Sequence, residues 1–333
     1  MPRVAVNIVT HNSRAFILPC LEAVARQTVG DTSITVIDNA SNDDTLALVR
    51  GWPRRTVRVI EHDTNRGFAA AQNAGIDATD SEFVLLLNPD VIMKPTFLAE
   101  MLRAIESTPS TGSAAGRLLR IPSEAFSADL IDDETAAYPV DSAGLYMRRS
   151  RRQGLRCEGQ TADPACKGPV AIFGPDGAAP LYRRTMLNDV RLDGEVFDES
   201  FHSHKEDVDL AWRAQLLGWD SVYTPRAVAY HVRTFRPGQR KGVRAEVRRN
   251  AVRNRWLLML KNDLPGLFLR DGVFIAGYDI LMLLYMLALE QRSLPAVADF
   301  IRLLPQTWRR RRDVMGRRTR RAAEMARWFA RLS

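Results

Sequence analysis

The sequence predicts an α/β fold: a mostly parallel sheet flanked by helices, with a helical C-terminal extension. Three observations predict it. The first hundred residues alternate short apolar runs with helix-like runs. Polar residues collect at the ends of the apolar runs, where open α/β sheets place ligands. The last quarter of the chain turns helical, apolar in one stretch and arginine-rich in the next.

The elements follow in order. Residues 4–9 read as a buried strand, and 15–27 as a helix with Ser13 as its N-cap. Residues 34–37 form a second apolar strand ending at Asp38. Residues 43–50 form a short helix with acids in its first turn, as the helix dipole favours. A third strand spans 57–60, an alanine-rich helix 68–78, a fourth strand 83–87, and a helix 96–107. From 109 to 177 glycine, proline and charge break the pattern, so this reads as an elaborated loop region with a few strands. A helix follows Arg183-Arg184, another spans 207–217 and ends at Gly218, and short strands lie near 221–223 and 228–230. Residues 243–261 read as a basic helix. The run 273–289 is nearly all apolar but carries Asp279, and falls short of the ~20 residues of a membrane span.

The chain has 333 residues, enough for one large domain with an appendage. A division into 1–240 and 241–333 follows from the change in pattern. Met1-Pro2-Arg3 leads straight into the first strand, so no export segment is read and a cytosolic location is expected. Cys20, Cys157 and Cys166 lack a metal-ligand spacing and are expected as free thiols, with a Cys157–Cys166 pair as the alternative. Ten arginines against one aspartate and one glutamate fall between Pro305 and Ser333, so this tail alone accounts for the net charge of +8.

Chemistry concentrates in two acidic groups. Leu87-Asn88-Pro89-Asp90 closes the fourth strand, and Glu206-Asp207-Val208-Asp209 opens a later helix, with His231 beyond. A carboxylate at a strand end is suited to hold a divalent cation, with His231 as a second ligand and phosphate oxygens completing the shell. A second carboxylate is suited to take a proton. On helical spacing Glu206 and Asp209 share a face while Asp207 points elsewhere. This set fits sugar transfer from a nucleotide diphosphate, where a Lewis acid neutralises the departing diphosphate and a base activates the acceptor hydroxyl.

Further stretches carry a resemblance: Val9-Thr10-His11-Asn12-Ser13, Val36-Ile37-Asp38-Asn39-Ala40-Ser41, and Asn65-Arg66-Gly67-Phe68 running on to Asn73-Ala74-Gly75. Gly177 to Arg184, Phe197-Asp198-Glu199-Ser200-Phe201, Glu206 to Arg213, Gly218-Trp219, Pro225 to His231 and Arg253-Asn254-Arg255 continue it. Each is weak alone, but together and in order they cover about residues 4–260. The chain resembles the family 2 glycosyltransferases, the inverting GT-A group, and most its rhamnosyltransferase-like branch.

The resemblance implies roles. Thr10, Asn12 and Asp38 match nucleotide-binding positions. Asn65, Gly67 and Asn73 match the segment around the nucleotide and donor sugar. Asn88 and Asp90 match the outer positions of the family's Asp-x-Asp motif, which leaves Asp90 as the metal carboxylate for Mg²⁺ or Mn²⁺. His231 matches a metal-proximal histidine. Asp207 matches the catalytic base, with Glu206 and Asp209 as possible support. The implied donor is a nucleotide sugar, first dTDP-rhamnose, and the acceptor a glycan or polyprenyl-diphosphate-linked sugar in cell-envelope assembly.

Plainer readings compete. Asp38 and Asp90 suit helix-capping loops, and the 206–209 acids suit a helix N-terminus. His202 and His204 read as loop residues near the acceptor, since no closed zinc pattern accompanies them. Arg183-Arg184 reads first as an exposed helix start, with an acceptor-diphosphate contact as the minor reading. The arginine tail, interleaved with Trp308, Trp328 and Phe329, favours an anionic membrane surface at the inner face of the cell membrane over a solvated tail, and either over nucleic acid. Nucleotidyl transfer, or a membrane-associated sugar-nucleotide-binding protein without activity, stand as alternatives. Thr10-His11-Asn12-Ser13 lacks the glycine-rich triphosphate loop that nucleotidyl transfer needs.

Overall fold

The computed structural model describes residues 1–54, 56–132, 138–161, 168–233 and 244–329. The chain begins β1 (Val4–Thr10), α1 (Ile17–Ala25), β2 (Thr32–Asp38), α2 (Thr45–Gly51), β3 (Val57–Glu61) and α3 (Gly67–Asp77). It continues β4 (Phe83–Leu87), β5 (Val91–Met93), α4 (Phe97–Ile105), β6 (Thr111–Arg120), β7 (Val140–Ser142), β8 (Leu145–Met147) and β9 (Gln153–Leu155). Then come β10 (Val170–Ala171), β11 (Leu181–Arg183), α5 (Arg184–Asp189), α6 (Glu206–Leu216) and β12 (Asp220–His231). Four helices follow: α7 (Ala245–Asn262), α8 (Pro265–Leu289), α9 (Pro295–Arg317) and α10 (Ala322–Ala326).

The main sheet runs β10-β12-β6-β11-β4-β1-β2-β3. Strands β1 to β4 pair in parallel, as do β6 and β12, while β11 is inserted antiparallel between β4 and β6. Side chains alternate along each strand, so the two faces build different cores. Phe83, Leu85 and Leu87 pack with α1 and α4 on one face. Val84 and Leu86 pack with α3, α5 and α6 on the other.

The expected strands at 4–9, 34–37, 57–60 and 83–87 all form, within a residue or two. Ser13 does not cap α1 directly. The helix begins at Ile17, and the Ser13 carbonyl accepts the Phe16 and Ile17 N–H groups in the turn before it. The larger departure is β6, a ten-residue interior strand inside the expected loop region. Its sequence, Thr111-Gly112-Ser113-Ala114-Ala115-Gly116, is small because neighbours press on it. A Cβ at Gly116 would lie 2.5 Å from the Phe97 ring and 2.7 Å from the Ala227 carbonyl oxygen. The short strands near 221–223 and 228–230 are one strand, β12, with a register shift between Tyr223 and Val228 around Pro225. Cys20 is buried and free, but Cys157 is disulfide-bonded, against the expectation of free thiols. Cys166 lies outside the described residues.

The C-terminal helices share a core with the sheet domain. Trp212 and Leu216 of α6 pack with Leu257, Leu264, Val314 and Phe329. Buried ions reinforce the seam. The Lys261 ammonium reaches Asp198 and lies 2.9 Å from Asp209. The Arg151 guanidinium bonds Asp263 at 2.7 Å and Asp271 at 2.8 Å. The arginine-rich segment is therefore not a free tail. Arg310 is 2% exposed and pairs with Asp193, Glu195 and Asp198. Arg311 donates to the Leu260 and Asp263 carbonyls, and Arg317 to those of Asp189 and Arg191. Arginine donors find these acceptors because the guanidinium fork spans two at once.

Candidate active site

The C-terminal ends of β1, β2, β4 and β12 carry the polar residues, as the strand-end rule requires. At the first two, the Asp38 carboxylate is 4% exposed. It accepts from the Thr10 hydroxyl at 2.9 Å, the Ser41 hydroxyl at 2.6 Å and the Ser41 N–H at 3.0 Å. Asn12 has φ +54°, in the left-handed region that asparagine tolerates. Its side-chain oxygen accepts from the Asn42 N–H at 2.7 Å, and its own N–H donates to Ser41 at 2.9 Å. Thr10, Asn12 and Asp38 thus form one connected shelf.

Asn39 joins this shelf to α3. Its amide donates to Asn65 Oδ1 at 2.9 Å and to the Gly67 carbonyl at 3.2 Å, and its oxygen accepts from the Arg66 N–H at 2.9 Å. Gly67 has φ +84°, and a Cβ there would lie 2.6 Å from the His202 carbonyl oxygen. Only glycine lets the α3 entrance touch the loop before α6. Asn73 is spent on the same loop. It donates to Phe197 O at 2.8 Å and Glu199 Oε1 at 3.0 Å and accepts the Phe197 N–H at 2.9 Å. Its amide holds a wall of the site.

Asn88 and Asp90 follow β4, and β12 delivers His231 beside them. His231 Nε2 lies 3.5 Å from Asp90 Oδ1, an oxygen that is buried and accepts no hydrogen bond. The other ring nitrogen, Nδ1, lies 2.8 Å from Asp141 Oδ2. Asp141 also accepts from Arg120 at 3.1 Å and Arg233 at 2.8 Å. Burial alone would raise the Asp141 carboxyl, but these donors hold it far below the usual carboxylate range. Burial would lower His231, yet Asp141 and Asp90 pull it up to about 9. An unsatisfied carboxylate oxygen facing an oriented imidazole fits a divalent cation. The described residues hold no cluster of three or more metal-ligating side chains, so phosphate oxygens are needed to complete such a shell.

At the first turn of α6 the helical-face expectation fails. Glu206 and Asp207 both line the cleft, whereas Asp209 is fully buried behind it. Asp209 accepts from Arg213 at 2.9 Å and Asn262 at 2.8 Å, besides its pair with Lys261. It is a structural ion, with no open side toward an acceptor. Asp207 accepts N–H bonds from Gly177 at 3.1 Å and Val208 at 2.8 Å. Burial raises its carboxyl to about 6 and outweighs those two bonds. Burial and then the Asp207 charge raise Glu206, and its Oε2 is buried without a hydrogen bond. The pair therefore keeps proton affinity near neutral pH, which suits a base. His202, His204 and Lys205 just before α6 all have positive φ, near +59°, +69° and +70°. Such strain in clustered non-glycine residues is found at functional turns.

The cleft has a volume of about 600 Å³. Asn88, His231, Glu206 and Asp207 all line it. Sequence reasoning missed Asp141, Asp176, Lys205 and Arg152. Lys205 donates to Gln153 at 2.7 Å, and burial lowers its ammonium to about 7. It also missed the roof, where Val252 and Arg255 of α7 and Tyr278 and Met282 of α8 reach over the cleft. The juxtaposition of Lys205 with Glu206 was the available signal for the first. Nothing local signalled the second. Arg183 and Arg184 are outside the cleft and are spent on backbone carbonyls, of Thr111 and Ile105, and of Ser81 and Ile76.

A mixed sheet with an antiparallel insertion and acids at its strand ends is the GT-A glycosyltransferase fold, here extended by C-terminal helices. The crystal structure of TarS 1–349 from S. aureus shares it with a TM-score of 0.55, 16% identity, and coverage of 95% of this chain and 87% of that one. The mannosyltransferase PcManGT from Pyrobaculum calidifontis, solved with GDP-Man and Mn²⁺, gives 0.53 and 17%, covering 95% and 86%. Residues 5–168 match the family model described as glycosyl transferase family 2. The succinoglycan biosynthesis protein ExoO of Rhizobium meliloti (strain 1021) is 32% identical over 241 residues, 70% of this chain and 62% of that protein. The chain spans about three fifths of the length of the first curated relatives it matches.

Proposed function

We propose that the protein is an inverting glycosyltransferase. It moves a sugar from a nucleotide diphosphate donor to an acceptor hydroxyl on a glycan or lipid-linked sugar in envelope polysaccharide synthesis. The observation that carries this reading is a single cleft lined together by Asn88, His231 and the Asp207 carboxylate. The likeness to ExoO, a succinoglycan biosynthesis protein, supports the polysaccharide setting. A dTDP-rhamnose donor rests on the resemblance of the sequence motifs to rhamnosyltransferase-like members.

The shelf of Thr10, Asn12 and Asp38 receives the nucleoside, with the Asp38 carboxylate accepting from a base N–H. Asn65 and Gly67 shape the edge along which the diphosphate and sugar lie. Asp90 and His231 would hold Mg²⁺ or Mn²⁺, which supplies charge neutralisation to the departing diphosphate. Asp141 keeps the His231 ring oriented toward Asp90. Asp207 takes the acceptor hydroxyl proton as the new bond forms opposite the leaving group, so the anomeric configuration inverts. Burial, and then the Asp176 charge, keep Asp207 basic enough to do so. The enzyme works at the inner face of the cell membrane, reached through its C-terminal helices.

The test is calorimetry with dTDP-rhamnose, UDP-hexoses and GDP-mannose, each with and without Mn²⁺. Metal-dependent binding of one donor is expected. Release of pyrophosphate from a nucleoside triphosphate would replace this reading with nucleotidyl transfer.

A further inference from the structure

Helix α8 is 25 residues long with a mean hydropathy of 2.0 over its most apolar window. At 1.5 Å per residue it extends about 37 Å, enough to cross a hydrocarbon core of about 30 Å. Its attachments argue for another placement. One stripe is fixed to the catalytic body along its length. Asp271 bonds Arg149 at 2.7 Å and Arg151 at 2.8 Å, and Asp279 bonds Arg255 at 2.7 Å. Arg149 stacks on Phe274 at 4.2 Å and Arg255 on Tyr278 at 4.4 Å. Leu267, Asp271, Ile275 and Met286 are buried at spacings that keep them on one helical side. The chain after α8 returns to the same body. Arg249 of α7 bonds Asp299 at 2.6 Å, Trp256 meets Phe300 at 5.6 Å, and Arg310 is locked among Asp193, Glu195 and Asp198. A crossing α8 would leave α9 on the opposite side of the bilayer from its partners.

The other side of α8 is bare and apolar. Leu269 is 78% exposed, Val273 84%, Leu281 68% and Leu284 57%. Val297, Ile301 and Trp308 extend this surface along α9 at helical spacing. Exposed arginines stand beside it: Arg292 after α8, and Arg302 and Arg309 one position beyond Ile301 and Trp308. Apolar anchors bordered by cations match the interface of an anionic bilayer, with leucine among acyl chains and guanidinium among headgroups. A water-facing surface gains nothing from them.

We propose that α8 is an in-plane membrane seat, lying in the headgroup–acyl boundary of an anionic bilayer while its inner stripe roofs the active cleft. Tyr278 and Met282 line the cleft from the same helix whose far side meets lipid. The cleft thus lies one helix diameter, about 10 Å, from the membrane. A second hollow of about 630 Å³, lined by Arg248, Tyr285, Leu289 and Arg292, opens at the last turn of α8. Arg248, paired with Glu290 of the second hollow at 3.7 Å, lines both hollows, which gives an acceptor held in the bilayer a route to the site. The seat deepens the transferase reading above and rests on it for its purpose.

The test is flotation of the full chain with phosphatidylcholine vesicles, with and without phosphatidylglycerol, paired with donor calorimetry. The wild type floats with the anionic vesicles. The double variant Leu281→Glu, Leu284→Glu loses about tenfold affinity or more per leucine and keeps donor binding, because neither leucine lines the cleft. Fluorophores on cysteines introduced at Leu269, Ile280 and Leu287, which share the exposed face, are quenched alike by a shallow nitroxide lipid. Quenching of the Ile280 label alone by a deep nitroxide would make α8 a crossing helix and overturn the proposal. So would a lipid-free dimer that the double variant dissociates, since a second copy would then cover the face. A chain that floats but binds no nucleotide sugar keeps the seat and sinks the transferase reading. A chain that binds donor and never floats does the reverse.

Discussion

Asp207 and Asp209 stand two positions apart and do opposite things. Asp207 lies at the cleft with its carboxyl raised to about 6 by burial, while Asp209 is locked between Arg213, Lys261 and Asn262. Asp207→Asn should cut transfer by roughly 10²–10⁴-fold and leave donor affinity within error, as measured by radiolabelled transfer and calorimetry. Asp209→Ala should leave two buried cations short of a partner and cost about 3–5 kcal/mol, read as a lower midpoint in urea unfolding. The pH profile has a definite sign. A base must be deprotonated, and the Asp207 carboxyl is raised, so activity should be lost as pH falls through about 6 and recover above it. A rate that stays flat from pH 5 to pH 8 with chemistry limiting would remove Asp207 from the role. Asp90→Asn should abolish the Mn²⁺-dependent part of donor binding, because it removes the carboxylate oxygen that faces His231.

At the scale of elements, the strands that position the site were legible because they are continuous apolar runs buried on both faces. Strand β6 was not. Its small residues follow from what crosses it, since Phe97 of α4 and the Ala227 carbonyl leave no room at Gly116 for a methyl group. Gly116→Ala should therefore cost about 1–3 kcal/mol by overpacking, although alanine is the better strand residue. Differential scanning calorimetry checks this, and an unchanged midpoint would mean that the strand yields. The first turn of α6 misled for a related reason. Helical spacing grouped Glu206 with Asp209, but at the helix N-terminus Glu206 and Asp207 reach the cleft together while α7 claims Asp209.

The whole molecule is held by a seam that composition alone made look like a tail. Arg310 bridges Asp193, Glu195 and Asp198, and Phe329 packs on Trp212 at 5.3 Å and under Arg151 at 4.0 Å. Because α6 and the C-terminal helices share one core, the two regions should unfold together. Arg310→Ala should destabilise the chain by about 3–5 kcal/mol, since three carboxylates lose their common cation. Limited proteolysis should then release the C-terminal helices first. A variant as protease-resistant as the wild type would show that the apolar seam alone suffices.

The sequence by itself determined the parallel strands, the helices between them, and the strand-end placement of Thr10, Asp38, Asn88 and Asp90. These are local consequences of hydrophobic period and of the rule that ligands lie beyond strand ends. It also marked Asp207 and His231 through motif order. Only the tertiary structure decided which acid at α6 faces the cleft, which carboxylate orients His231, and which arginines are spent within the fold. Only it showed that α7 and α8 roof the site. Each of these depends on a contact across many tens of residues, between Asp141 and His231, Asn262 and Asp209, or Arg310 and Asp198. Such pairings leave no period in the chain, because a buried charge is defined by the partner that meets it.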